Sequence, residues 1–248
     1  MIKENIEIKE NQLVNLIQVM IDNGVSNKKI VERFEQKVIQ LNSPRISLWF
    51  AENIKGVDVL AHGQVVIESK DPHYNFWFAH NIKGADILAH GQVIQDSKDL
   101  KYNHDFAEYI KGADVLAHGK VILESKDLDY NYLFPKDVIE ADIQAHGRII
   151  IESKNLKYNF LFPKNIKGSD VLAHGKVIID SKHPDYNHDF AKCVKGADIE
   201  AHQQIFYQDI DIEKISNLID NEIDELLSLR KSNEAKSVKK LVKKKDNK

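Results

Sequence analysis

The chain of 248 residues has a single cysteine, Cys193, and therefore no intramolecular disulfide. It has no apolar run of membrane-spanning length and no N-terminal signal pattern, so a soluble cytoplasmic protein is expected, with no membrane partner. Net charge is small, −3 overall, but unevenly placed: residues 235–248 carry seven Lys and one Asp, which leaves the other 234 residues at −9. A mildly acidic body with a basic tail does not read as a nucleic-acid-binding domain in its main part. HExxH, CxxC, GxSxG and P-loop signatures are all missing. The expectation is therefore no catalytic residue, no metal ligand and no cofactor. A hydrophobic content of 42% is ordinary and allows a real core.

What is present is a strict period. His62, His90, His118, His146, His174 and His202 follow one another at steps of 28 residues, and Asp58, Asp86, Asp114, Asp142, Asp170 and Asp198 keep the same step four residues earlier. The unit reads D-P-x-Y-N-x-x-F-A-x-x-I-K-G-A-D-V-L-A-H-G-x-V-I-I-E-S-K, with full copies beginning at Asp71, Asp99, Asp127, Asn155 and His183 and a degenerate half-unit before them. Such self-similarity marks a stacked tandem array. In the second half of the unit the recurring positions Asp58, Ala61, His62, Val65, Val66 and Ser69 are spaced as one face of an α-helix. Tyr74, Asn75, Phe78 and Ile82 do the same in the first half. The β-branched run Val65–Ile67 suggests a strand, but period two does not fit, and a β-solenoid is rejected.

The punctuation agrees. Asp71 before Pro72 and His183 before Pro184 place proline at the first helical position, after an N-cap. Gly84, Gly112, Gly168 and Gly196 fall just past the first helix, where a left-handed residue is wanted. Asp86 and its equivalents then cap the second helix, which ends at Ser69–Lys70 and its copies. Helices of about 11 residues are marginal alone in water, so each unit has to stack on its neighbours. The fold expected is all-α, an αα-hairpin solenoid of 28-residue repeats over residues 44–209. Capping helices are expected at 1–43 (an amphipathic helix over 10–22, a stop at Asn23–Gly24, then a helix over 27–40 capped by Ser26) and at 210–230. A disordered Lys-rich tail is expected at 231–248. Ile212, Ile215, Ile219, Ile223, Leu226 and Leu227 form the stripe of the C-terminal helix, read as a cap or as a dimerisation seam. Pro135 and Pro163, standing where other units have Ala, are expected to kink or shorten their helices. Glu140 replaces the turn glycine.

The Asp/His ladder invites a metal or catalytic reading. Equivalent residues of stacked repeats lie about 9–10 Å apart, too far to share an ion held at about 2.0–2.1 Å. The ladder is instead expected to be structural: Asp caps the helix, and His makes an inter-repeat hydrogen bond to backbone or Asn. The Tyr–Asn pairs read as core for the same reason, since base-reading repeats vary their contact residues from unit to unit. Glycine follows His in five units (Gly63, Gly91, Gly119, Gly147, Gly175), and a repeated helix-weakening residue implies close approach of a neighbouring helix or ring. Glu35 and Gln203 take this place at the two ends. Gly119→Leu is expected to disrupt stacking. The divergent positions of the first helix are the candidate interaction surface: Trp49, Trp77, His80, His104, Glu108, Tyr109, Tyr132, Lys136, Lys164, His188 and Lys192. Lys239, Lys240, Lys243, Lys244 and Lys245 are candidate phosphate contacts.

The stretch Tyr102-Asn-His-Asp-Phe-Ala-Glu-Tyr-Ile-Lys-Gly-Ala-Asp114 resembles a tandem helical repeat of the Y-x-x-x-F-A-x-x-V-K-G-A-D type, found in uncharacterised proteins of bacteria, phages and large DNA viruses. The resemblance covers residues 44–209 and departs from that type in having His–Gly where related repeats tend to have Leu–Glu. It implies a helical array and no catalytic residues. The function expected is a non-catalytic scaffold binding a protein partner along an extended repeat surface. The alternatives are a nucleic-acid-binding repeat protein assisted by its basic tail, and a virus- or phage-encoded inhibitor of a host complex.

Overall fold

The computed structural model describes residues 2–208, 216 and 219–223. Most of the C-terminal helix expected over 210–230 and the whole tail over 231–248, with its five candidate phosphate contacts, lie outside the described residues. Among the described residues there is no strand. Helices α1 (Ile2–Asp22) and α2 (Asn27–Gln40) precede six helix pairs in sequence order. These are α3 (Pro44–Asn53) with α4 (Val59–Glu68), α5 (Pro72–Asn81) with α6 (Ile87–Ser97), and α7 (Leu100–Tyr109) with α8 (Val115–Ser125). There follow α9 (Leu128–Asp137) with α10 (Ile143–Ser153), α11 (Leu156–Asn165) with α12 (Val171–Ser181), and α13 (Pro184–Cys193) with α14 (Ile199–Gln208).

The chain divides into two compact units, Met1–His174 and Gly175–Lys248. In the first, α3 packs on α4, α5 on α6, α7 on α8 and α9 on α10. Each first helix from α3 to α11 meets the next, and so does each second helix from α4 to α10. This serial packing is an αα-hairpin solenoid. In the second unit α13 packs on α14.

The caps explain where each helix begins. The carboxylates of Asp58, Asp86, Asp114 and Asp142 accept from the backbone N–H three residues on, at 2.9–3.0 Å. Asp99, Asp127 and Asn155 do the same for the first helices. Ser26 and His183 occupy cap positions without a side-chain bond. The recurring serine joins one hairpin to the next. Ser97 Oγ donates to Ile94 O at 2.6 Å and accepts from Asp99 N–H at 3.2 Å.

Three expectations need correction. α1 starts at Ile2 rather than near residue 10. Ile2 and Ile6 continue the helical spacing of Leu13, Ile17 and Met20 toward the N-terminus, and the Lys and Glu between them are good helix formers. The turn glycine is not the first residue past the helix. Ile82 is the C-cap, and Gly84 (φ +92°) is third in a four-residue turn closed by Ala85 N–H to Ile82 O at 3.2 Å, a place that requires positive φ. Pro135 and Pro163 do not shorten their helices, which span 10 residues like α5 and α7. Each proline stands in the last turn and lacks a single N–H donor, while Val138 N–H to Phe134 O and Ile166 N–H to Phe162 O, both 2.9 Å, still close that turn.

One aromatic per hairpin anchors the core. Phe50, Phe78, Phe106, Phe134, Phe162 and Phe190 are fully buried, as are Ile94, Ile122, Ile150 and Ile178 on the second helices. Truncating such a Phe to Ala costs about 3–5 kcal/mol. Ahead of the hairpins, Ile17, Ile30 and Val38 of α1 and α2 pack with Ile46, Phe50 and Ile54 of the first hairpin.

Candidate functional site

The ladder is a chain of buried, specifically paired polar groups. Asn75 donates both amide hydrogens, to Val66 O at 3.0 Å and Asp71 O at 2.9 Å. Its oxygen is then left to accept from His90 Nδ1 at 2.7 Å. The same Asn–His bond recurs at 2.7–2.9 Å for Asn103–His118, Asn131–His146, Asn159–His174 and Asn187–His202. These bonds run within one hairpin, not between repeats as expected. The link between consecutive hairpins is the asparagine's other bond, to the carbonyl of the preceding second helix.

The pairing fixes the tautomer. With Nδ1 donating, Nε2 carries the lone pair, and in His90, His118, His146 and His174 that nitrogen is buried with no hydrogen-bond partner. It faces the glycine of the preceding unit: a Cβ on Gly91 would lie 3.3 Å from His118 Nε2 and 3.1 Å from Phe106 Cε1. The repeated glycine is thus explained by a ring and an imidazole pressing on the helix. Phe78 and His90 stack with centroids 4.9 Å apart. Burial pushes His90, His118, His146 and His174 down to about 4, outweighing the upward pull of the capping aspartates. Buried and neutral, these imidazoles pack against a ring and a glycine while one nitrogen pairs with asparagine, which ties neighbouring helices together.

The divergent surface is dispersed along the first helices. Trp77 is 39% exposed and packs edge-on against Phe76 and His80. Trp49 is half-buried against the core of α1 to α3. Tyr109, Lys136, Lys164, His188 and Lys192 are exposed, while Tyr132 and Glu108 are half-buried. Lys136 lies over the Tyr132 ring and Lys164 over Phe160. His188 packs on Phe206 with centroids 4.5 Å apart. His104 does not belong to an exposed surface, being only 8% accessible between α7 and α9.

The sequence reading passed over an apolar rail. Leu60, Leu88, Leu116 and Leu172, each second in its helix, are 65–66% exposed. Gln144 interrupts the series in α10 and donates to Gly168 O. The signal was available: these leucines recur with the ladder yet stand two residues past the capping Asp, off the face occupied by Ala61, His62, Val65 and Val66. Beside the rail, an open groove of about 690 Å³ runs between α6 and α8, lined by Gln92, Asp96, Lys98, Lys120 and Glu124 among others.

No family model matches the chain, and neither a curated protein nor a solved structure matches it. The fold defines its class, a helical tandem-repeat protein. No helix among the described residues is long and apolar enough to cross a membrane.

Proposed function

We propose that the protein is a non-catalytic scaffold that binds a protein partner along consecutive hairpins of the Met1–His174 unit. The observation that carries this reading is the rail: leucine at the same register in four second helices, each about two-thirds exposed. Single exposed leucines are ordinary, but an aligned series is the kind of apolar surface that a partner covers. Covering a leucine contributes about 1.5–3 kcal/mol at most, so several together offset a large part of the about 4–15 kcal/mol that association costs. The groove between α6 and α8 offers polar groups for register at its edge. The ladder supports this indirectly, because a core specified by buried hydrogen bonds holds neighbouring helices in fixed register. A cytoplasmic location and membership of the repeat type resembling bacterial, phage and large-virus arrays belong to the same proposal.

The test compares wild type with a Leu60→Asp, Leu88→Asp, Leu116→Asp triple variant in affinity capture with crosslinking, with nuclease present. A defined protein crosslinked by wild type and lost by a variant of unchanged melting temperature is the expected result. An identical set of partners with both proteins would move the contact surface away from the rail.

A further inference from the structure

We propose that His104, Asp105 and Glu108, backed by Asp137, form a binding site for a divalent first-row transition ion of the Zn2+ class. The three residues lie on α7, with His and Asp adjacent and Glu one turn later. His104 Nδ1 is 3.4 Å from Asp105 Oδ1 and 3.6 Å from Glu108 Oε2, and the three ligand atoms lie within 4.8 Å of one another. An ion held tetrahedrally at about 2.0–2.2 Å sets its donors about 3.3–3.5 Å apart. Two of the three spacings are therefore close to the required value, and rotation of a carboxylate supplies the third.

The other side of the imidazole is an independent observation. The His104 residue is 8% exposed, and its Nε2 is buried with no hydrogen-bond partner. That nitrogen faces Asp137 Oδ2 on α9 at 3.5 Å. Metal-ligating histidines almost always direct their second N–H at a carboxylate or carbonyl, which fixes the tautomer and aims the free lone pair at the ion. Asp137 stands in that position. Without an ion, Nδ1 donates to Asp105 Oδ1 at 3.4 Å; a bound ion would take the place of that proton, with the other proton held on Nε2 toward Asp137. Tyr130 and Phe134 flank the ring at centroid distances of 6.2 and 6.1 Å and limit its movement. Asp105 and Glu108 side chains are 25% and 24% exposed, so the ion would keep open positions for water or for a residue of a bound partner. One imidazole nitrogen with two carboxylates suits Zn2+, Co2+ or Mn2+ rather than a soft ion.

The array supplies its own control. At the register of His104 the other units hold Phe76, Tyr132 and Phe160, which are core or half-core residues. In α13 the pair His188–Asp189 recurs, but Lys192 puts a cation where Glu108 provides a ligand. All four groups come together at the α7/α9 contact.

The experiment titrates the full-length chain, stripped with a chelator, with Co2+ followed by visible absorption and with Zn2+ followed by calorimetry. One equivalent is expected, with the ligand-field bands of a nitrogen–oxygen site. His104→Phe, the residue that other units carry here, should remove that equivalent while leaving the melting temperature of the stripped protein within a few degrees. Glu108→Gln should weaken binding at least tenfold, and Asp137→Asn about tenfold through the ring's orientation. Absence of a bound equivalent in wild type, or binding unchanged in both His104→Phe and Glu108→Gln, would overturn the assignment and leave the cluster as an ion-paired histidine.

Discussion

The interior hairpin α7/α8 and the first hairpin α3/α4 carry the same histidine in different company. His118 has Asn103 on Nδ1 at 2.8 Å and Gly91 against Nε2. His62 has Ser47 at the register of the asparagine and Glu35 at that of the glycine. Ser47 Oγ and both nitrogens of His62 are buried without hydrogen-bond partners, and Nε2 lies 3.7 Å from Glu35 Oε1. Burial still lowers His62, but Glu35 pulls it back upward, an influence that the interior histidines lack. A ladder rung is therefore a joint product of two helix pairs: an asparagine tied to the preceding carbonyl, and a glycine that admits the ring. Where α2 replaces a full hairpin, both are lost together, and Glu35 instead accepts from the N–H of Asp58, the N-cap of α4, at 2.6 Å.

The largest effect should come from breaking an interior rung. Asn103→Ala removes the acceptor of His118 Nδ1 and the donors to Ile94 O and Asp99 O. Buried groups left unpaired cost about 1–3 kcal/mol each, so a loss of about 3 kcal/mol or more is expected in urea unfolding followed by helical circular dichroism. Ser47→Ala, at the same register, removes no hydrogen bond from the ring and should cost less than about 1 kcal/mol. Equal losses at the two positions would dissolve the distinction between interior and end. Gly119→Leu tests the other half of the rung. A Cβ there lies 3.0 Å from Phe134 Cε1 and 3.6 Å from His146 Nε2. The larger side chain overpacks the contact by about 1–3 kcal/mol, and an unchanged melting temperature would refute the close approach.

Acid should act next. An interior histidine has an unfolded pKa of 6.5 and a folded value of about 4. Between those values the unfolded chain binds protons that the folded chain refuses, so stability rises with pH there. The contribution is complete above about pH 6.5, falls as pH drops, and is exhausted near pH 4. Each rung contributes on the order of one to a few kcal/mol. Urea midpoints at pH 7, 5.5 and 4.5 should fall steadily, and His118→Gln should flatten that slope whatever it does to the midpoint at pH 7. A midpoint independent of pH across this window would mean that the imidazoles are not buried neutral.

Completing the end is the converse, and it bears on what the sequence made legible. The 28-residue period, the helical faces, the Asp caps and the glycine contact follow from spacing alone, because each depends on residues within one unit or its copy. The direction of the Asn–His bond does not. Asn75 and Asn103 stand 15 residues before and 13 after His90, and a strict period treats the two choices alike. Recurrence also marks Leu88 and His90 equally, although one is 66% exposed and the other buried. Divergence marks His104 as surface, although its register is that of the buried Phe76. Once the geometry is known, the end is repairable. Ser47→Asn supplies an acceptor to His62 Nδ1 and a donor toward the preceding helix, and a gain of about 1 kcal/mol is expected. A loss would show that Glu35 has already displaced the ring from the interior arrangement.

The smallest expected effect concerns the turn between α9 and α10. Gly84, Gly112, Gly168 and Gly196 adopt φ of +90 to +92°, and Glu140 occupies the same place at φ +71°. A side chain there costs about 1–2 kcal/mol in left-handed backbone strain, offset in part by the extra freedom that glycine gives the unfolded chain. Glu140→Gly should therefore raise stability by about 0.5–1 kcal/mol and shift the urea midpoint without changing the slope. The strain persists because helices on both sides are anchored independently, by Val138 N–H to Phe134 O behind the turn and by the Asp142 cap ahead of it. Destabilisation instead would mean that the Glu140 carboxylate holds a contact outweighing its backbone strain, and this turn would then differ from the others by function rather than by tolerated drift.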